Sequence, residues 1–339
     1  MTNFTLALPS KGELAEPTDS FLREAGLKIV RPNPRQYTGS IASMRGVNVL
    51  YQRVKDVVYK VADGTAQLGI AGLDIVREYA SGDVVVIHAN LNYGHCNLTV
   101  AVPEAWVDVH SINDIVEIAQ DLRTSERRNL RIATTFPALT RQFFHQHHIH
   151  HFLIVKAEGA IEAAPTIGYA DIIVDLTQSG TTLRENHLKP LADGVILESQ
   201  ACLIGNKSAL QEQPALRSVV RELVDYMDAT LSGREYCQLT VDIRGSDSTT
   251  IARLVSANEA TSGLLGPTIA PIYTLTDETW YTVQLTVKGK NLLPAVDYLR
   301  SIGGAHVVIS PVKFLFRDSS RTYQNLLAQL GLENVSNSL

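Results

Sequence analysis

The sequence predicts an α/β protein, a two-lobed core followed by a small βαββαβ module. Three observations carry that expectation. From residue 4 onward, short apolar runs alternate with amphipathic helical stretches, which argues for parallel sheets covered by helices on both faces. The alternation breaks at Pro103 and restarts near Ile112, so a second lobe begins there. Beyond Gly233 the rhythm changes to strand, helix, two strands, helix, strand, the split-βαβ arrangement. A chain of 339 residues accommodates two or three domains at about 100–200 residues each.

In order, residues 4–8 read as a strand ended by Pro9-Ser10-Lys11-Gly12, and residues 13–25 as a helix burying Leu14, Phe21, Leu22 and Ala25. Residues 47–52 form a strand, 55–62 a helix closed by Asp63-Gly64, and 67–71 a buried strand running into Gly72-Leu73-Asp74. Strands follow at 84–88 and 98–102. The second lobe then reads as helix 112–122, strand 131–134, helix 138–148, strand 152–156, helix 160–167 and strand 171–176. Residues 196–204 resemble the first lobe's apolar strands, so the chain returns there and two crossings define a hinge with a ligand cleft. The expected boundaries are 1–103 with 190–210 for the first lobe, 104–189 for the second, a linker helix at 211–234 and the small module at 235–325. That module reads as strand 236–243, helix 249–257, a short strand within 269–275, strand 280–287, helix 292–302 and strand 305–310, with a tail helix fraying into 334–339.

Composition removes several function classes. Lys and Arg number 30 against 35 Asp and Glu, a net charge of −5 that lacks the basic footprint of a nucleic-acid binder. Any phosphate site must be local. Cys96, Cys202 and Cys237 are odd in number and lack CxxC spacing, which encodes neither a disulfide framework nor a cysteine zinc site. No export signal and no run of about 18 apolar residues is present, so the expectation is a cytoplasmic protein without a membrane span.

Residues 162–183 carry the most chemistry. A strand ending in Ser179-Gly180-Thr181-Thr182-Leu183 and entering a helix gathers backbone N–H groups, hydroxyls and the positive helix end around one point. Such a loop holds a phosphate without any Lys or Arg, although the same tetrapeptide also serves as a plain turn with a cap. Asp171 and Asp175 are two pleat periods apart and are expected on one side at the loop end of the strand, where two carboxylates suit the vicinal hydroxyls of a ribose. One of them could instead cap a helix. Lys11 and Arg53 are cations at strand ends that suit a pyrophosphate, and equally suit solvent. Asp74 reads both as a ligand and as a helix cap. The cluster His145, His147, His148, His150 and His151 is not read as a metal site, because its side chains cannot converge on one point.

Residues 162–183, opening on Glu162, resemble the phosphoribosyl pyrophosphate signature of the ATP phosphoribosyltransferases. The similarity continues through Ser10-Lys11-Gly12, Arg53 and Asp56, the turn at 69–74, Tyr93-Gly94-His95-Cys96 and the run at 133–141. Gly266-Pro267-Thr268-Ile269-Ala270-Pro271, Trp280 and the helix–Gly–strand ending at Ile309 resemble the regulatory domain of the family's long form. The resemblance implies a periplasmic-binding-protein-like catalytic core with a ferredoxin-like regulatory domain, histidine as inhibitor, and dimers or hexamers.

It also implies the reaction. Adenine N1 of ATP displaces pyrophosphate from phosphoribosyl pyrophosphate, with Mg²⁺ held through substrate phosphates. Glu162, Asp171, Asp175 and 179–183 would bind phosphoribosyl pyrophosphate; Lys11, Gly12, Arg53, Gly72 and Asp74 would bind ATP and pyrophosphate; Thr268 and Val307 would lie at the histidine site. The chain departs from the family pattern at Glu13, Asn97, Val58, Gly303-Gly304 and Val307. A non-catalytic two-lobed nucleotide-binding or regulatory homologue is the alternative.

Overall fold

A computed structural model describes residues 3–33, 35–157, 159–275 and 278–332. The expected fraying at 334–339 lies outside them. The chain divides into two compact units, residues 24–27 and 220–322 forming the second and the remainder the first.

The first unit contains two sheets. Strands β1 (Phe4–Pro9), β2 (Ile29–Val30), β3 (Thr38–Ile41), β4 (Val47–Gln52), β5 (Leu68–Gly72) and β6 (Val84–His88) lead to a second set. These are β7 (Cys96–Pro103), β8 (Leu130–Thr134), β9 (Phe152–Lys156), β10 (Ile172–Thr177), β11 (Leu188–Ser199) and β12 (Ala201–Asn206). The first sheet runs β2-β3-β4-β1-β5-β12-β6 and the second β11-β7-β10-β8-β9. Each sheet is mixed. The pairs β1–β4, β1–β5, β10–β8 and β8–β9 are parallel, as the alternating pattern requires, whereas the pairs made by β7, β11 and β12 are antiparallel. The pairs β2–β3 and β3–β4 are antiparallel as well, and β7, β11 and β12 carry the crossings, where a chain entering and leaving a lobe at one point must run in both directions.

The crossing points differ from the expectation. β7 lies in the second sheet, and the run expected as one strand over 196–204 breaks at Gln200, with β11 in the second sheet and β12 in the first. The second lobe therefore spans 96–199. Cys96 and Ser199 are register partners, and the crossing segments bond to each other through Leu91 N–H to Ala201 O and Ala201 N–H to Tyr93 O, both at 3.0 Å.

β10 is buried on both faces. Ile172 and Val174 enter a core with Leu98, Val100, Ile132 and Phe144, while Ile173 enters a second core with Ala101, Leu183 and Leu188. A continuous apolar run suits a central strand covered on both sides. The linker helix expected over residues 211–234 is divided between two helices, Lys207–Glu212 and Pro214–Arg234. Pro214 lacks an N–H and pushes Gln213 into an extended conformation, which ends the first helix. Glu162 sits in a 3₁₀ turn, Ile161–Ala163, followed by a single helical turn, Ala164–Ile167.

The second unit holds β13 (Tyr236–Arg244), β14 (Thr268–Ile272), β15 (Trp280–Lys288) and β16 (Gly304–Pro311) in the order β14-β15-β13-β16, every neighbour antiparallel. With helices Ser248–Ser256 and Leu292–Ser301 this is the ferredoxin-like βαββαβ arrangement. Ile251, Val255, Ala295 and Leu299 pack on Leu239, Val241 and Leu285. At Gly304 a Cβ would stand 2.5 Å from the Leu299 carbonyl oxygen, so the strand can approach the helix only with glycine there.

Thr268 and Val307, paired in the sequence reading, are apart in this unit. They occupy the two opposite edge strands, and since Ile269 and Val307 both face the core, Thr268 faces the other way. Within one copy of the domain the two residues therefore lie on different edges and different faces of the sheet. No described helix is long and apolar enough to cross a membrane.

Candidate functional site

The site begins where β10 ends. Thr177 Oγ1 accepts the Gly180 N–H at 3.0 Å, which curls the chain into a turn, and Gly180 adopts φ +70°, a left-handed conformation natural to glycine. The helix Thr181–Glu185 starts immediately after. Ser179, Thr181 and Thr182 are exposed around the turn, and Ser179 Oγ lies 3.0 Å from Thr181 Oγ1. Leu183 is 3% exposed, and its side chain anchors the helix against Ile173 and Leu188. Its side chain is therefore a foundation for the loop, and only its backbone is placed to meet a ligand.

Asp175 sits on β10 two residues before the strand's end. Burial pushes its carboxyl up to about 6, the Leu176 N–H pulls it down, and the nearby Glu162 charge adds to the rise. Its Oδ1 accepts that N–H at 2.8 Å. Two carboxylates, Asp175 and Glu162, thus share the loop end of the strand.

Asp171 does not join them. It precedes β10 at the opposite end, roughly 13 Å along the strand from Asp175. Arg128 Nη1 donates to it at 2.7 Å, Arg131 Nη2 at 2.8 Å, and the Arg131 backbone N–H at 2.8 Å. Burial raises its pKa, but the Arg131 and Arg128 donors outweigh that and hold it below the usual range. The same-face argument holds for a strand, yet spacing alone does not say which end carries the site. Asp171 is a structural ion-pair residue.

The first lobe supplies the other wall. Pro9 pairs with Gln52, and Ser10 N–H donates to Gln52 O at 2.7 Å, so Lys11 and Arg53 leave the carboxyl ends of adjacent parallel strands. That is where open α/β sheets bind ligands. Gly12 takes φ +82°, turning the chain so that Glu13 Oε2 accepts from Gln178 Nε2 at 2.6 Å. This bond bridges the lobes one residue from Ser179 and brings the Lys11 loop to the phosphate-type loop.

Asp74 takes no part in that wall. It is 4% exposed and accepts from Ser199 Oγ at 2.6 Å, while Ser199 Oγ accepts the Asp74 N–H at 3.0 Å. Burial raises its carboxyl pKa against the opposing Ser199 bond. The residue belongs to the hinge, at the start of helix Leu73–Tyr79, and Gly72 serves its seat: a Cβ there would lie 2.4 Å from Asp74 Oδ1. A Gly72→Ala variant should lose about 2 kcal/mol of stability, read as a lower melting temperature.

Three residues escaped the sequence reading. Arg184 folds over the loop, its guanidinium donating to Ser179 O at 3.3 Å and Thr181 Oγ1 at 3.2 Å, so the loop does carry a cation. Its position four residues after Gly180 in a helix was the available signal. Glu78 accepts from Ala138 N–H at 2.8 Å and Leu139 N–H at 2.9 Å, capping helix Pro137–Gln146 of the other lobe. Gln178 makes the bridge to Glu13. At the far end of the same capped helix His145 and His150 stack with their Nδ1 atoms 3.0 Å apart.

A family described as ATP phosphoribosyltransferase matches residues 53–229, more than half of the chain. The chain belongs to that family. The match described as HisG, C-terminal domain, covers residues 234–313, which marks the long form. ATP phosphoribosyltransferase 2, chloroplastic, of Arabidopsis thaliana is 38% identical over 333 residues, 96% of this chain and 80% of the relative. The Afipia carboxidovorans ATP phosphoribosyltransferase is 34% identical over 97% of this chain and 99% of its own. That of Mesorhizobium japonicum is 43% identical, but 97% of it corresponds to only 65% of this chain. Among solved structures, an ATP phosphoribosyl transferase (HisG:HisZ) complex from Thermotoga maritima shares the fold, with a TM-score of 0.51, 23% identity and coverage of 66% of this chain and 96% of that one.

Proposed function

We propose that this chain transfers the phosphoribosyl group of phosphoribosyl pyrophosphate to N1 of ATP, releasing pyrophosphate, the first step of histidine biosynthesis. The observation that carries the reading is one constellation: the 179–182 loop, the Asp175 and Glu162 carboxylates, and the Lys11 loop brought to them by the Glu13–Gln178 bridge. Ser179 and Thr182 would bind the 5′-phosphate, and Asp175 the ribose hydroxyls. As the bond at C1′ lengthens, charge builds on pyrophosphate, where Lys11 and Arg53 would stabilise it. Adenine N1 is the nucleophile, so the protein supplies orientation and charge with no covalent intermediate.

The implied Mg²⁺ fits these residues as a substrate-borne ion. Among the described residues no group of three or more His, Cys, Asp or Glu side chains could cage a metal, whereas Asp175 and Glu162 offer hard oxygens of the kind Mg²⁺ accepts alongside substrate phosphates. Bound there, the ion would neutralise charge on the pyrophosphate.

The second unit is read as a histidine-responsive module and the chain as a cytoplasmic homo-oligomer, with the family's C-terminal match as support. The test is an assay of the purified protein with ATP, phosphoribosyl pyrophosphate, Mg²⁺ and pyrophosphatase, following the ultraviolet absorbance of phosphoribosyl-ATP. Product is expected, and its absence would favour a nucleotide-binding homologue. Ser179→Ala and Thr182→Ala should each raise the KM for phosphoribosyl pyrophosphate about 10-fold. Histidine should slow the reaction, and rates unaffected by it would leave the module a role in assembly alone.

A further inference from the structure

We propose that Arg184 is a positioning residue for phosphoribosyl pyrophosphate, acting through Thr181 to fix the direction in which the Ser179 hydroxyl donates. The proposal rests on the reading of 179–182 as the 5′-phosphate loop. Three contacts carry it. Arg184 Nη2 donates to Thr181 Oγ1 at 3.2 Å, Thr181 Oγ1 lies 3.0 Å from Ser179 Oγ, and the Thr181 N–H points at Ser179 Oγ at 3.4 Å.

A guanidinium can only donate, so Thr181 Oγ1 is the acceptor in the first contact. With Arg184 donating to it, the Thr181 hydroxyl is polarised and its own proton is best placed on Ser179 Oγ. Ser179 Oγ then accepts both the Thr181 hydroxyl and the weaker Thr181 N–H, so its remaining proton points out of the loop, toward an anion seated there. The order is Arg184 to Thr181 to Ser179 to phosphate. Reversing it would leave the Ser179 oxygen facing the phosphate with lone pairs only.

The same guanidinium has a second effect. Its Nη1 donates to the Ser179 carbonyl at 3.3 Å, engaging the acceptor that would otherwise repel an anion in the loop. Gly180 leaves the guanidinium room, since a Cβ there would stand 3.3 Å from that nitrogen and require it to shift by a few tenths of an ångström. Arg184 is exposed and lies in a helix anchored by Leu183, so its replacement leaves the core intact.

The test combines steady-state kinetics with isothermal titration of phosphoribosyl pyrophosphate on the full chain. Arg184→Met should raise KM and Kd for phosphoribosyl pyrophosphate about 10-fold, with kcat within twofold and the KM for ATP unchanged. Thr181→Val should do the same. The double variant should be no worse than either single one, because both break one relay. Effects that multiply toward 100-fold would place Arg184 directly on the phosphate and overturn the relay, as would an Arg184→Met variant with parental Kd. Arg184→Lys, which cannot fork to both acceptors, should recover less than half of the loss, and full recovery also counts against the relay. Ser179→Ala separates the two levels: parental Kd in that variant removes the loop assignment itself, whereas a raised Kd there beside an unaffected Arg184→Met removes only the relay.

Discussion

Asp175→Asn should melt at a higher temperature than the parent and turn over about 100-fold more slowly. The two effects share one cause. Burial and the Glu162 charge raise the Asp175 carboxyl to about 6, against about 3.9 in an unfolded chain. Between those values the folded protein binds more protons than the unfolded one, so stability falls as pH rises through that window, and the full penalty is present above it. Asparagine keeps an oxygen for the Leu176 N–H and removes the buried charge, a gain of about 2 kcal/mol at pH 8.

The loss of turnover comes from the same atoms. A carboxylate accepts from two ribose hydroxyls more strongly than an amide does, and two weakened charge-assisted bonds account for about two powers of ten. In the parent, kcat/KM should drop as pH falls through about 6, because the protonated form loses the acceptor. The substrate's own phosphate titrates near the same pH, so the informative measurement is the difference between parent and variant profiles. Identical profiles, with unchanged turnover in Asp175→Asn, would remove Asp175 from ribose binding.

Asp171→Asn should behave in the opposite way. This carboxylate receives Arg128 and Arg131 from one side chain each and a backbone N–H from Arg131, and its own side chain is only 9% exposed. Its folded pKa lies below the unfolded value, so its contribution is complete above about pH 4 and is lost as pH falls through the folded pKa. Both arginines are about one third exposed, and solvent screening limits the loss on neutralisation to about 2 kcal/mol. Thermal melts at pH 7 should show that loss, and the difference from the parent should shrink as melts are taken to progressively lower pH. KM for phosphoribosyl pyrophosphate should stay at the parental value, since the ion pair is at the far end of β10 from the loop. A raised KM with parental stability would return Asp171 to the site.

These two aspartates also show what a single chain makes legible. The strand, its loop and the presence of carboxylates could be read because period-two spacing and the Ser-Gly-Thr-Thr turn are local properties. That Asp171 lies at the end of β10 away from the loop follows from chain order; that it is held there in an ion pair depends on Arg128 and Arg131, whose approach is tertiary. The break at Gln200 is marked only by the polar triplet Glu198-Ser199-Gln200 between two apolar stretches, and it is pairing with different sheets that divides 196–204 into two strands. Pro214 is a local helix breaker and divides a segment whose apolar periodicity runs on beyond it. Asp74 shows the limit from the other direction, because a buried carboxylate beside a glycine reads alike as ligand or hinge until Ser199, 125 residues away, is placed against it. The small module was readable throughout as an order of elements, yet the separation of Thr268 from Val307 follows from strand order.

The pairing of Cys96 with Ser199 has a consequence for how this enzyme can be altered. A lobe whose first and last strand residues face each other across one ladder is a closed insertion, with ends about 5 Å apart. Residues 96–199 can therefore be lengthened, shortened or exchanged with those of a relative as a cassette, and the strand order of the first sheet survives because nothing in it is threaded through the exchanged part. On the proposed reading the chemistry is divided: the cassette would carry the phosphoribosyl half and the remaining sheet Lys11 and Arg53, so each half could be re-engineered on its own scaffold while the Glu13–Gln178 and Glu78 bonds set the terms on which the halves meet.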